Sequence, residues 1–230
     1  MVAIFDVGVD WKPKHEELKR LVKSPKNFTD AILLALELHC LVHAGEMSGS
    51  KKKTYCDEIY DGLLAEDYSI MPSKRDVTLA WNIWHITRIE DLVGNILMLD
   101  SNQVFDSKWQ KRLGTSVTDT GNAMTDEEII SLSRQLDKAE LKNYRTAVGR
   151  QTQKLLKSLQ PEDLKRKPKA ESLQKLMQEG GLTEQQGSFW LLDFWGKKTF
   201  AGLILLPLTR HHIMHLDDCI KLKQKIKGAT

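Results

Sequence analysis

Apolar residues recur every three or four positions along four long stretches of the chain, which is the spacing of one buried face on an α-helix. No stretch alternates apolar and polar residues as a strand does, and no internal repeat or βαβ rhythm is visible. The pattern therefore predicts an all-α protein, a four-helix bundle with additional short helices. The four predicted helices cover about residues 27–44, 76–100, 125–159 and 199–227.

The ends of these helices carry recognisable signals. We expect Asp76 to cap the second helix, and Thr125 with Glu128 has the spacing of a capping box at the start of the third. Pro161 stops that third helix, because proline cannot continue the backbone hydrogen bonding. Pro207 lies inside the fourth apolar pattern, so it either kinks this helix or marks its true start.

The chain of 230 residues is long enough to bury a substantial core. We predict a single domain over residues 1–230, with its core at about 27–226 and a charged insertion at about 160–182. A composition of 41% hydrophobic and 28% charged residues is typical of a folded globular protein. The net charge of +3 is too small to indicate a nucleic-acid partner, and the short basic runs fall in predicted loops.

The three cysteines form no CxxC pair, which argues against a disulfide framework and against a thiolate zinc knuckle. This usage fits a reducing compartment, so we expect a cytoplasmic protein. The longest apolar run, residues 200–208, is far too short to span a bilayer, and we expect no membrane partner.

Three histidines occupy positions that the helical pattern reserves for the core. His85 shares a face with Trp81 and Ile89, while His211 and His215 lie four residues apart on one face of the last helix. Burying an unpaired polar ring costs about 1–3 kcal/mol. Three such rings on two helices call for a shared partner, and a divalent metal ion is a suitable one.

His39 and His43 form a second pair with the same spacing on an apolar stripe. Periodicity leaves three assignments open: the pair completes the metal site in place of His85, supports it as an orienting pair or proton relay, or lies at the edge of the core. His212 points about 100° away from His211, which favours a structural role. His15 lies in a charged helix and is expected to be solvated.

Two segments resemble a known family. AWNIWHITRIEDLV and PLTRHHIMHLDDCIKL are similar to the second and last core helices of the DinB/YfiT-like superfamily, and the resemblance covers about residues 27–226. It implies a four-helix bundle with a long crossover, in which His85, His211 and His215 hold the metal. The chain departs from the family after His215, where the family often has a glycine-containing tail and this sequence has Leu-Asp-Asp.

The resemblance also implies a function. Family members with known activities use the metal in reactions of low-molecular-weight thiols, so we expect a metalloenzyme, of the transferase or hydrolase type, that activates a thiol or water with zinc or nickel. It would act on a small-molecule substrate and could form a homodimer. Glu90 and Trp81 are candidates for orienting a ligand or lining the pocket. The alternative is a non-catalytic or stress-associated bundle, in which the metal is structural or sensed.

Overall fold

The computed structural model describes residues 5–228, and every regular element in that part of the chain is a helix. The prediction of an all-α protein is therefore confirmed. The α-helices are α1 (Lys12–Leu21), α2 (Phe28–Leu41), α3 (Gly45–Ser48), α4 (Tyr55–Tyr60), α5 (Leu79–Asp91), α6 (Ser107–Leu113), α7 (Asp126–Gln135), α8 (Lys138–Ser158), α9 (Ala170–Gln178), α10 (Gln186–Gly196), α11 (Phe200–Leu205) and α12 (His211–Gly228).

Wider π-helical turns extend or join several of these helices. Helix α5 continues without a break into a π-helical segment, Leu92–Met98, and a second one, Leu206–Arg210, joins α11 to α12. Pro207 lies in this second segment, so the predicted disturbance of the last helix occurs where the proline is. The remaining helical turns are the π-helical Val7–Trp11 and the 3₁₀ turns Pro25–Asn27, Glu66–Ser69 and Pro161–Lys165.

Helix α5 is the central element of the fold. It packs against α8 on one side and α12 on another, while α2 packs against α1 and α8. Twelve of its thirteen residues are buried, which leaves no solvent-facing stripe. Polar side chains on such a helix must find partners inside the protein, and these partners form the sites described below.

The start of α5 differs from the prediction. Asp76 does not cap the helix; Thr78 does, because its hydroxyl accepts a hydrogen bond from the backbone N–H of Trp81. The Asp76 carboxylate instead pairs with Lys225 at the end of α12, at 2.5 Å. The true cap lies two residues further on, and Asp76 links the two helices.

The predicted helix over 125–159 is two helices. The capping box of Thr125 and Glu128 is present and starts α7 as expected, but α7 ends before Leu136. Asp137 then accepts a hydrogen bond from the N–H of Glu140 and caps α8. Its own N–H donates to the carbonyl of Leu113. This contact from α6 explains why the chain turns where the local pattern predicted continuity.

The charged segment 160–182 is ordered against the core. It contains the turn Pro161–Lys165 and α9, and α9 packs on the π-helical continuation of α5. The single-domain organisation stays a prediction. No helix among residues 5–228 combines the length and the apolar composition that crossing a bilayer requires.

The N-terminal histidine was predicted wrongly to be solvated. Only 3% of His15 is exposed, because its ring stacks on Trp11 and its Nε2 atom lies 2.8 Å from the carbonyl oxygen of Leu205. Burial lowers the pKa of His15 below its usual value. The side chain ties the first helix to the end of α11 and lies outside the histidine clusters described next.

Candidate metal centre

A loop after α6 lies over the buried face of α5 and fixes its aromatic side chains. The indole N–H groups of Trp84 and Trp81 donate to the carbonyls of Asp119 and Gly121, and His85 bonds to the carbonyl between them. Gly121 has a φ of 76°, and a Cβ atom there would lie 2.7 Å from the Trp81 indole nitrogen. The close approach of this loop therefore requires glycine at that position.

The structure brings the three predicted ligands together. One nitrogen atom from each of His85, His211 and His215 lies within 4.8 Å of the others. The ring centroids of His211 and His215 are 4.6 Å apart, and that of His85 lies 5.1 Å from His211 and 4.8 Å from His215. We call these three residues the triad.

Hydrogen bonds fix which nitrogen of two triad rings faces the site. The Nδ1 atom of His85 lies 2.8 Å from the carbonyl oxygen of Thr120, and that of His215 lies 2.7 Å from Oδ1 of Asn82. A carbonyl oxygen only accepts, so each Nδ1 carries the proton and each Nε2 keeps its lone pair. A hydrogen bond on the distal nitrogen is the usual support of a metal-binding imidazole.

The third ring has an unsatisfied nitrogen. The Nδ1 atom of His211 is buried and has no hydrogen-bond partner among the described residues. A buried polar atom without a hydrogen-bond partner lowers the stability of the fold by about 1–3 kcal/mol. The donor set of the triad, three neutral imidazoles, is one that zinc and similar divalent ions accept. The residues therefore fit the group that the site was predicted to hold.

Burial keeps the triad neutral. It lowers the pKa of His85 to about 3, with a further contribution from the neighbouring His215. Burial likewise lowers the pKa of His215 to about 4 and that of His211 well below its usual value. The rings are therefore unprotonated at neutral pH, which is the state that a metal ligand requires.

An open groove reaches the triad from the side of His215. Its volume is about 570 Å³, and His215, Asn82 and Trp81 form part of its wall. The Trp81 ring stacks on His85 at a centroid distance of 4.6 Å, so it separates this groove from the most buried of the three histidines. The cationic residues lining the groove are Arg75, Lys221 and Lys225.

The other histidines form a separate cluster around Glu90. His39 Nε2 lies 2.7 Å from one carboxylate oxygen of Glu90, and His43 Nε2 lies 3.0 Å from the other. All three side chains are fully buried. His212 Nε2 approaches the same carboxylate at 3.5 Å. We call these four residues the Glu90 cluster.

An arginine from α8 fixes the fourth member of the cluster. The guanidinium of Arg145 donates to the carbonyl of Val42 at 2.7 Å and lies 3.2 Å from Nδ1 of His212. Arginine has donors only, so Nδ1 of His212 accepts and its Nε2 carries the proton. This Nε2 faces Glu90 at 3.5 Å but forms no hydrogen bond with it. His212 is thus a close neighbour of the carboxylate with no lone pair free for an ion.

The charges in the cluster fit this assignment. Burial alone would raise the pKa of Glu90, but the nearby imidazoles of His43, His39 and His212 hold it well below its usual value. Burial lowers the pKa of His43 to about 3. The stable arrangement is an ionised carboxylate that accepts hydrogen bonds from His39 and from the neutral ring of His43.

Both groups are compact enough to hold an ion, but their hydrogen bonds differ. In the triad, Nδ1 of His85 and Nδ1 of His215 each donate a hydrogen bond to an oxygen atom. In the Glu90 cluster, the carboxylate occupies Nε2 of His39 and His43, and their Nδ1 atoms have no partner among the described residues. A carboxylate on Nε2 would leave Nδ1 for an ion, but Nδ1 of His43 packs against α8, where a Cβ atom at Gly149 would lie 2.7 Å from it. The triad is therefore the better metal site.

The structure places the predicted supporting residues as follows. Trp81 lies against His85 and lines the groove, whereas Glu90 contacts His39 and His43 rather than any triad ring. Asp91, the next carboxylate on the helix, accepts a hydrogen bond from the Tyr144 hydroxyl at 2.6 Å. Both carboxylates point away from the triad, because they follow His85 by five and six residues on the helix.

Three residues of these sites were not singled out from the sequence. Asn82 could have been found, because it precedes His85 by three residues and shares its face. Thr120 contributes through its backbone carbonyl in a loop, for which the sequence has no signal. Arg145 lies in the polar pattern of α8, and only the tertiary structure shows that it is 2% exposed.

The chain matches one family model, described as the DinB superfamily, over residues 56–217. No curated protein matches the chain. The matched range includes all three triad histidines and most of the helices that pack around them. Because the match extends over more than half of the sequence, the chain belongs to the DinB superfamily.

Proposed function

We propose that the triad binds one divalent metal ion and that the protein is a metalloenzyme that activates a low-molecular-weight thiol or water. The observation that carries this proposal is the pair of hydrogen bonds on Nδ1 of His85 and His215. They leave Nε2 of both rings with a free lone pair, and one nitrogen from each of these rings and one from His211 lie within 4.8 Å of one another. The Nδ1 atom of His211 is buried without a partner among the described residues, which an ion bound by that ring would relieve.

The triad residues supply ligands without charge. Three neutral imidazoles leave the full positive charge of a divalent ion in place, and three protein ligands leave a position open for a substrate. An ion held in this way lowers the pKa of a bound thiol or water, so that a nucleophile is available at neutral pH. Zinc and nickel are the ions that we expect.

The groove beside His215 provides room for the small-molecule substrate. Its wall includes the half-buried Trp81 and the buried Asn82, and the groove reaches the triad at His215. Lys221 and Lys225 are paired with nearby aspartates, while the guanidinium of Arg75 forms no ion pair with the described residues. Arg75 is therefore available to a polar, negatively charged part of a substrate.

Cobalt substitution tests this proposal. The metal-free chain is titrated with Co²⁺, and the visible absorption of the ion is followed before and after a small thiol such as cysteine is added. We expect saturable binding with an intensity typical of low coordination number, and a new sulfur-to-metal charge-transfer band with the thiol. The substitutions His85→Ala and His211→Ala should abolish both signals, while His15→Gln, a buried histidine outside both clusters, should preserve them.

A different result would favour the non-catalytic alternative. A spectrum that does not respond to thiol, together with a large loss of melting temperature on chelation, would indicate a closed site that stabilises the fold. Absence of stoichiometric Co²⁺ binding would refute the metal site itself.

A further inference from the structure

A second, smaller pocket reaches the triad at another of its rings. His211 is part of its wall, whereas His215 lines the groove. Because these two rings are 4.6 Å apart, both spaces border the triad. The apolar residues that line the small pocket include Ile89, Trp190, Leu191, Phe194, Leu206 and Pro207. We call it the His211 pocket.

The size of the His211 pocket limits what it can hold. Its volume is about 130 Å³. An apolar cavity of about 150 Å³ in another protein stays free of water and binds benzene. The His211 pocket therefore has room for one group of about that size, and its largely apolar wall makes water a poor occupant.

The wall also fits an aromatic or branched apolar occupant. Helix α10 contributes the rings of Trp190 and Phe194, which contact each other at a centroid distance of 5.5 Å. The polar side chains in the wall are those of His211 and Asn122. Asn122 Oδ1 already accepts a hydrogen bond from the Thr120 hydroxyl at 2.7 Å. A mainly apolar wall with few polar groups is typical of a small-molecule site.

The pocket has an exposed aromatic entrance. Half of Trp190 is exposed, and so is 47% of the adjacent Phe189. Large aromatic side chains are usually buried, and adjacent exposed ones often mark a binding site. Here they lie on the helix whose other residues form the pocket wall.

We propose that the His211 pocket binds a benzene-sized apolar group of the substrate. The substrate class is then a small molecule in which such a group adjoins the reacting atom, while a polar co-substrate approaches through the groove. This inference deepens the proposed function and rests on it for the role of the triad, but binding of the apolar group needs no metal.

Fluorobenzene is a suitable probe, followed by ¹⁹F NMR with the metal-free, full-length chain. We expect saturable binding. Leu206→Phe fills the pocket and should weaken binding at least tenfold. Leu205→Phe makes the same change at the preceding half-buried residue, which does not line the pocket, and should leave the affinity within twofold of the original. Circular dichroism and melting curves confirm that both variants are folded.

Loading the chain with Co²⁺ then tests where the probe lies. A fluorobenzene molecule beside His211 should show strong paramagnetic broadening of its ¹⁹F line, which the same chain loaded with diamagnetic Zn²⁺ lacks. If Co²⁺ binds but causes no broadening, the pocket does not serve the triad and the inference is wrong.

The outcomes separate this inference from the proposed function. Absence of saturable fluorobenzene binding, or equal weakening by both leucine substitutions, would overturn the pocket assignment even if metal binding is intact. Conversely, if the pocket binds fluorobenzene and only Leu206→Phe weakens it, the pocket stands as a binding site even if no metal binds to the triad. In that case only the proposed function fails.

Discussion

The triad and the Glu90 cluster contain the same kind of side chain in similar numbers, but they use opposite ring nitrogens. In the triad, His85 and His215 donate from Nδ1 to neutral oxygens and keep Nε2 free. In the Glu90 cluster, Nε2 of His39 and of His43 is hydrogen-bonded to a buried carboxylate. The comparison shows that the hydrogen bonds around a buried histidine decide which nitrogen is left for an ion, and that the surroundings of this nitrogen decide whether an ion can reach it.

The two clusters also differ in what surrounds them. The triad borders a groove of about 570 Å³ and an apolar pocket of about 130 Å³. His39, His43 and Glu90 are fully buried, and the His43 ring packs on α8 at Gly149, whose missing side chain makes room for it. We therefore interpret the first cluster as a site for ligands and the second as an anchor that holds α2, α5 and α12 together.

Lowering the pH should reduce the free energy of unfolding more than any single substitution, because it protonates buried histidines in both clusters. The pKa values of His43 and His85 are about 3 and that of His215 about 4 in the folded chain, against about 6.5 when unfolded. Below pH 6.5 the unfolded chain binds more protons, so the free energy of unfolding should fall from there toward pH 4. The expected slope is about 1.4 kcal/mol per pH unit for each such histidine.

Urea unfolding of the metal-free chain at a series of pH values measures this slope. His43→Gln and His85→Gln should each reduce it by the contribution of one histidine. A free energy of unfolding that does not change between pH 7 and 5 would show that these rings are not held neutral in the fold.

Glu90→Gln should cause the next largest loss of folding stability. The substitution keeps the shape but removes the charge that accepts hydrogen bonds from His39 and His43, and breaking a buried pair of this kind costs about 3 kcal/mol or more. Urea unfolding measures the loss. Glu37→Gln on the exposed side of α2 removes a surface ion pair with Lys14 and should cost less than about 1 kcal/mol. Equal losses in the two variants would contradict an anchoring role for Glu90.

Asn82→Ala should weaken metal binding rather than folding. It removes the acceptor that orients His215, and loss of such a partner lowers metal affinity by about 10- to 100-fold. Competition with a chelating dye measures the affinity. Asn82→Asp retains an acceptor oxygen and should restore most of it. If Asn82→Ala binds the metal as tightly as the unaltered chain, the hydrogen bond on Nδ1 does not support the site.

Gly149→Ala should have the smallest effect. A Cβ atom at Gly149 would lie 2.7 Å from the His43 ring, so the substitution must displace that ring and should cost about 1–2 kcal/mol. At Gly94 the nearest side-chain atom would be 3.6 Å from an added Cβ, and Gly94→Ala should be neutral or slightly stabilising. Thermal unfolding compares the two. A neutral Gly149→Ala would indicate that His43 is free to move.

The long periodic stretches made the all-α fold predictable, whereas its interruptions were set by tertiary contacts. The break between α7 and α8 depends on a hydrogen bond from Asp137 to Leu113, a residue of a different helix. The apolar positions on the two sides of the break follow one continuous pattern in the sequence. Local periodicity therefore predicted one helix where the structure has two.

The sequence predicted that the triad histidines come together, because spacing and resemblance pointed to the same three residues. It did not predict the partners of Glu90. Glu90 follows His85 by five residues, which turns it about 140° away on the helix. That angle alone separates it from the triad. Its actual partners, His39 on α2 and His43 just after that helix, lie some fifty residues earlier in the sequence, so no local pattern could identify them.

Metal content measured on matched variants tests the central claim most directly. The unaltered chain, His215→Ala and His39→Ala are each loaded with Zn²⁺, freed of excess ion and analysed by mass spectrometry of the element. Both substitutions remove one histidine of a pair spaced four residues apart. We predict about one ion per chain for the unaltered protein and for His39→Ala, and almost none for His215→Ala. Loss of the ion in His39→Ala but not in His215→Ala would contradict the assignment of the metal to the triad.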